Sequence, residues 1–197
     1  GGDALTDYPE AVAYHQSLLT EFGFGNYRNL LEAMTYSPGM GFYLTYMGNQ
    51  KEDPETGRQP DENYAREILQ LFTMGLVALN DDGTLAGGVN DGDSSVELYD
   101  NDDITGLAKV FTGLDRRVSR AEAKNNPEAP EVLKSWREPM VVYPAKHAQN
   151  EKTFLGLTIP ENTTAQDSIT LALDQLMSVA SVGPFLSRQL IQRFTTS

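Results

Sequence analysis

The chain has 197 residues, 40% of them hydrophobic and 22% charged, an ordinary globular balance that buries a core in one domain or two small ones. Its 15 basic and 28 acidic residues leave a net charge of −13, which argues against a phosphate-backbone binder, so no nucleic-acid partner is expected. With no cysteine and only His15 and His147, disulfides, thiolate chemistry and a three-histidine metal site within one chain are excluded, and no apolar run is long enough for a membrane span.

Apolar spacing at Ala11, Tyr14, Leu18 and Leu19 predicts a helix over 8–22, and Tyr27, Leu30, Leu31 and Met34 predict another over 26–36. Between them FGFGNY reads as a helix–helix turn rather than a phosphate cradle. Pro38 opens a short helix, because a proline at the first helical position gives up no needed donor. Residues 48–60 are polar with two prolines and read as a loop. The segment 61–75, DENYAREILQLFTMG, is helical with Tyr64, Ile68, Leu71 and Phe72 as its buried stripe. Leu76–Leu79 and the turn Asn80-Asp81-Asp82-Gly83 resemble half of a hairpin, with Val96–Tyr99 as its partner. The intervening acidic, glycine-rich stretch places a loop or insertion over 80–100.

Asp100 is an N-cap candidate for a helix over 102–111, where Ile104, Leu107, Ala108 and Phe111 share one face. Residues 115–139, with Arg116, Arg117, Arg120 and Lys124, read as a loose basic loop, and Met140–Tyr143 as a short strand. Ile169, Ala172, Leu173, Leu176, Met177 and Ala180 form the cleanest apolar stripe. The last helix, from Gly183-Pro184, is expected to lay Phe185, Leu186, Leu190 and Phe194 on it. The fold class is mainly α, an irregular helical bundle with a short β hairpin or ribbon. The chain stops in mid-helix, so residues 1–197 are expected to be a single domain or a fragment of a larger helical protein.

The densest polar group on a helix is Glu62, Asn63, Arg66 and Glu67. Glu62 and Arg66 share a face, as do Asn63 and Glu67, whereas the two carboxylates lie about 140° apart around the helix. Two readings follow: a carboxylate pair oriented by Arg66 and Asn63, or a structural helix in which a buried or half-buried Arg66 ties neighbouring segments. On the second, Arg66→Lys lowers stability and Arg116→Lys, in the loose stretch, does nothing. His147 is either a general base or metal ligand, or a hydrogen-bonded structural histidine. No transition metal or other cofactor is expected. Calcium is the one ion worth a test, at Asp81, Asp82, Asp91 and Asp93, where oxygen ligands crowd around glycines without the spacing of an EF-hand.

FGNYRNLLEAMTYSPGMGFYL, DENYAREILQLFTMGL, NDDGT, YDNDDITGLAKVFTGL, KHAQNEKTFLG and GPFLSRQLIQRFTTS occur in this order. Together they resemble the bacterial family called domain of unknown function 1800. The resemblance implies a longer exported protein whose signal peptide lies outside this chain. It also implies a second exported protein, of the sulfatase- and phosphatase-like domain of unknown function 1501, as a partner. It carries no established activity. The family's N-E-N-Y-A-R-E motif falls on Asp61 to Glu67 with Asp61 in place of the first asparagine. Its His-Asp pair falls on His147 and Ala148, so the aspartate is lost, and its T-G-W falls on Thr112, Gly113 and Leu114. The resemblance therefore favours a structural or interaction domain, with a hydrolase or metal-assisted enzyme around the NYARE helix and His147 as the alternative.

Overall fold

The structure, a computed structural model, describes residues 2–86 and 96–195. A 3-10 turn leads into α1 (Pro9–Phe22), which packs with α2 (Tyr27–Thr35) and α3 (Pro38–Tyr43). Prolines open α1 and α3, and the Asn26 side chain caps α2 by accepting from the Arg28 amide at 2.9 Å. Next comes α4 (Asn63–Gln70), shorter than the pattern over 61–75 implied. The Asp61 carboxylate accepts from the Asn63 amide and starts the helix there. Beyond Gln70 the chain unwinds into turns and reverses at Gly75, whose φ of 78° a residue with a Cβ rarely adopts.

The central helix is α5 (Asn101–Val110). Asp100 caps it as expected. Its carboxylate accepts from the amides of Asp102 and Asp103, and Asp103 returns the favour to the Asp100 amide. After β1 (Leu114–Asp115), the stretch expected to be a loose loop instead folds α6 (Arg120–Asn125) and α7 (Pro130–Lys134). Ser119 and Glu122 form a second capping box, and Pro130 starts α7, so local chemistry makes helix where composition read as loop. The strand β2 (Val141–Val142) pairs antiparallel with β1, Leu114 opposite Val142.

A hairpin follows, β3 (Lys152–Phe154) and β4 (Leu157–Ile159), turned by Leu155 and Gly156 at φ 47° and 74°. Positive φ at both central residues is the type I′ geometry that matches strand twist. The hairpin lies on α5. The Leu155 amide donates to Asp103 at 2.6 Å, and at Gly106 an added Cβ would overlap the Thr153 carbonyl. The chain closes with α8 (Ala165–Ser178) and α9 (Val182–Thr195).

The core joins Tyr64, Ile68 and Leu69 of α4 to Leu107 and Phe111 around α5, and both to the hairpin and α8. From α8 it takes Ile169, Ala172, Leu173 and Leu176, the stripe read from sequence. Arg28 ties α2 to α8, donating to Asp174 at 2.8 Å and pairing with Glu32. The acidic ribbon is partly visible: Val77 bridges Glu97, as the pairing of 76–79 with 96–99 implied, and Leu79 bridges Leu85 across the NDDG turn.

The last helix departs from expectation. Only its first turns pack: Leu186 meets the core and Phe185 covers Gly75. Leu190 and Phe194 do not reach the α8 stripe and stand 56% and 83% exposed, because α8 and α9 meet at a bend of 76° that carries the distal turns away. Among the described residues no single helix is long and apolar enough to cross a membrane.

Candidate functional site

The predicted polar residues fall into two clusters, one at each end of α5. The first belongs to α4. Glu62 accepts from the Arg66 guanidinium at 2.8 Å through one oxygen, and its other oxygen lies 2.9 Å from the Thr105 hydroxyl. Arg66 also donates to the Asn101 side chain at 3.0 Å. The set therefore joins the start of α4 to the first turns of α5. Asn63 is exposed, and Glu67 and Arg66 both act on the half-buried Tyr99, whose hydroxyl pKa is raised by burial and adjusted by these opposite charges.

Arg66 is not the buried anchor expected of it: its side chain is 47% exposed. Stripe neighbours Tyr64 and Ala65 are buried, but the 100° step between residues turns Arg66 to solvent. Arg116, assigned above to a loose loop, is the buried arginine, at 8% exposure. It lies over the Trp136 ring at 4.0 Å and donates to Ser135 at 3.2 Å. The expected ranking of the two lysine substitutions is thus reversed. Arg66→Lys should cost under about 1 kcal/mol, as exposed pairs do. Arg116→Lys should cost more, since lysine cannot reproduce a planar stacked guanidinium. Urea midpoints of the two proteins check this order.

The second cluster surrounds His147, which is fully buried. Its Nδ1 lies 2.9 Å from the Thr112 carbonyl, which can only accept, so Nδ1 carries the proton and Nε2 presents a bare lone pair. The Thr112 hydroxyl donates to the Lys109 carbonyl and accepts from the Ala148 amide. That backbone bond is what Ala148 contributes. Among the described residues neither the buried Nε2 nor one buried oxygen of Glu52 has a hydrogen-bond partner. Between them in chemistry sits Lys152, fully buried, whose ammonium donates to the Asn150 carbonyl at 3.2 Å. The Asn150 side chain in turn donates to Glu52 at 2.6 Å. Burial lowers the Lys152 pKa, helped by Lys109 and opposed by Glu52. Neither Lys152 nor Glu52 was singled out from sequence. The signal available was the lysine of K-x-F-L-G, which the period-2 reading of KTF would have pointed inward with Phe154.

The two clusters do not converge. One is tied to Asn101 and Thr105, the other to Thr112 beyond the far end of α5, a separation of about 10–16 Å at 1.5 Å per residue. Of the calcium candidates, Asp82 accepts from both the amide and the hydroxyl of Thr84, at 2.9 and 2.6 Å, which lowers its pKa. Asp81 is exposed on the same turn, and Asp91 and Asp93 lie outside the described residues. Among the described residues no group of three acidic or histidine side chains is arranged to hold a metal ion.

Burial lowers the pKa of His147, an effect to which Lys152 adds and which the Thr112 carbonyl opposes. The unfolded chain, with its histidine near pH 6.5, therefore binds the proton first as pH falls. Stability should drop as pH descends through 6.5 toward the folded value, by at most about 1.4 kcal/mol per pH unit for this group, and be flat above. His15, also lowered by burial, adds a second share. His147→Asn keeps a donor for the Thr112 carbonyl and should remove one share of the slope, read from urea midpoints between pH 7.5 and 5.5.

A mainly helical chain with these motifs in this order defines its class. The chain belongs to the family described as Protein of unknown function (DUF1800), whose profile matches residues 5–197. Neither the curated proteins nor the solved structures contain a match.

Proposed function

We propose that this chain is an exported structural or interaction domain that works beside a second exported protein, of the family of unknown function 1501. The supporting observation is how the polar motif residues are used. Glu62, Arg66, Asn101 and Thr105 tie α4 to α5, and His147, Thr112 and Ala148 tie the segment before the hairpin to the end of α5. The motif holds the chain's own segments together. Exposed apolar side chains on α9, Leu190, Ile191 and Phe194, are consistent with a surface that meets another protein. The test is co-expression of this chain with a 1501-family protein from the same genome, followed by size-exclusion chromatography with light scattering. A 1:1 or higher complex, lost in Leu190→Ser/Phe194→Ser with helix content unchanged, supports the reading. Separate elution at tens of micromolar overturns it.

A second reading, a hydrolase, has one observation in its favour: the buried Nε2 of His147, without a partner among the described residues and close to Lys152. In that reading His147 is the base, and Glu62, Asn63, Arg66 and Glu67 only support the fold. Turnover of an ester or phosphoester substrate that His147→Asn abolishes, with the fold intact, would select it over the first.

A further inference from the structure

A groove of about 620 Å³ runs between the N-terminal turn and the α6–α7 segment, away from both clusters on α5. Its floor is apolar and aromatic: Trp136 meets Tyr8 at 4.4 Å between ring centres in a tilted pair, with Val132 and Leu133 beside them. Arg116 lines the same groove. Its guanidinium lies over the Trp136 ring at 4.0 Å and donates from Nη1 to Ser135. Nε is buried with no hydrogen-bond partner among the described residues. A buried N–H left unmet is costly, which marks this guanidinium as incompletely satisfied by the fold. The guanidinium face that lines the groove can donate to a carboxylate there.

We propose that this groove binds a small organic carboxylate, its head on Arg116 and its apolar body along Trp136 and Tyr8. The rest of the wall is consistent with a singly charged head. Arg120 and Lys124 add positive charge, while Asp7, Glu10 and Glu128 line the same groove. Three carboxylates on the wall disfavour a dianion such as phosphate or sulfate, and they leave one strong anion contact at Arg116. The volume suits a metabolite-sized ligand. The site is separate from the interaction reading above, and either stands without the other.

Trp136 is the one tryptophan in the chain, so its fluorescence reads the groove directly. Titration with sodium hexanoate at constant ionic strength should change its emission saturably. Hexanol, with a similar body and no charge, and sodium chloride should not. Inorganic phosphate should bind at least tenfold more weakly than hexanoate. Arg116→Lys should weaken hexanoate binding at least tenfold. Should that protein fail to fold, Lys124→Gln, on the exposed wall, should weaken it two- to threefold without altering the circular dichroism. A flat hexanoate titration overturns the proposal. So does an equal response to hexanol, which marks a merely apolar groove, or tighter binding of phosphate. Parent-like hexanoate affinity in the folded variants does the same.

Discussion

Gly106→Ala should destabilise the protein by about 3 kcal/mol or more, the opposite of what the substitution does on an ordinary helix. Inside an exposed helix, alanine is favoured over glycine by about 1 kcal/mol. Here the new Cβ would overlap the Thr153 carbonyl of β3 and stand 2.8 Å from its carbonyl carbon. Both parties are backbone, so no rotamer relieves the overlap, and the hairpin must lift off α5. Lifting it also breaks the 2.6 Å bond from the Leu155 amide to Asp103 and uncovers Phe154 and Ile159. Overpacking costs about 1–3 kcal/mol where side chains can adjust, and more where they cannot. Gly183→Ala is the control: nothing lies within 4 Å of a Cβ at that position, in the first turn of α9. Thermal or urea unfolding of the two variants should move in different directions or by very different amounts. Equal shifts would mean that the hairpin is not seated on α5 through Gly106.

The second large effect is expected at Tyr64, at 1% exposure. Its ring stacks on Tyr46 at 4.0 Å between centres and meets Phe111 edge to face at 4.7 Å. Its hydroxyl lies 2.8 Å from that of Thr35. The Thr35 hydroxyl already donates to the Leu31 carbonyl, so Tyr64 is the donor in this pair. Tyr64→Ala removes the ring on which α2, α4 and α5 meet and should cost about 3–5 kcal/mol. Tyr64→Phe keeps the packing and loses one hydrogen bond, about 0.5–1.5 kcal/mol. The gap between the two, measured by urea unfolding, separates the ring's contribution from the hydroxyl's. A phenylalanine variant as unstable as the alanine one would show that the hydroxyl, not the stack, holds this junction.

The long helices were legible because their burial is one-sided. Ile104, Leu107, Ala108 and Phe111 recur with helical period, and Asp100 stands where a cap belongs, so α5 could be bounded almost to the residue. The same held for α8. The β3–β4 hairpin was not legible: three residues per strand are too few for an alternation to register, and one inward residue is a lysine, which sequence reading sends to solvent. Arg66 and Arg116 were ranked in the wrong order for a related reason. Proximity along the chain to Tyr64 and Ala65 does not put Arg66 in the core, whereas the burial of Arg116 depends on Trp136, 20 residues away. The last helix shows the converse limit. Its amphipathic pattern is real, but a pattern states that a face wants covering, not where the neighbouring helix ends.

For the candidate site, sequence located His147 and the NYARE residues and left their roles open. The tautomer of His147 depends on the Thr112 carbonyl, 35 positions earlier, and no local pattern encodes that distance. Lys152 is a near neighbour of His147 in sequence, but Glu52 sits in a distant polar loop, and only the fold sets the two together through Asn150.

The Arg28–Asp174 pair spans 146 positions of chain. Synthesis at about 5–20 residues per second puts about 7–30 s between the emergence of one partner and the other. Until then Leu31 and Leu107 have no α8 to cover them, so the nascent chain carries exposed apolar stripes until that helix is made. The contacts of α2 and α5 with α8 are therefore unavailable to a growing chain until α8 is made, whereas those of α1 with α2 and of α4 with α5 join elements already synthesised.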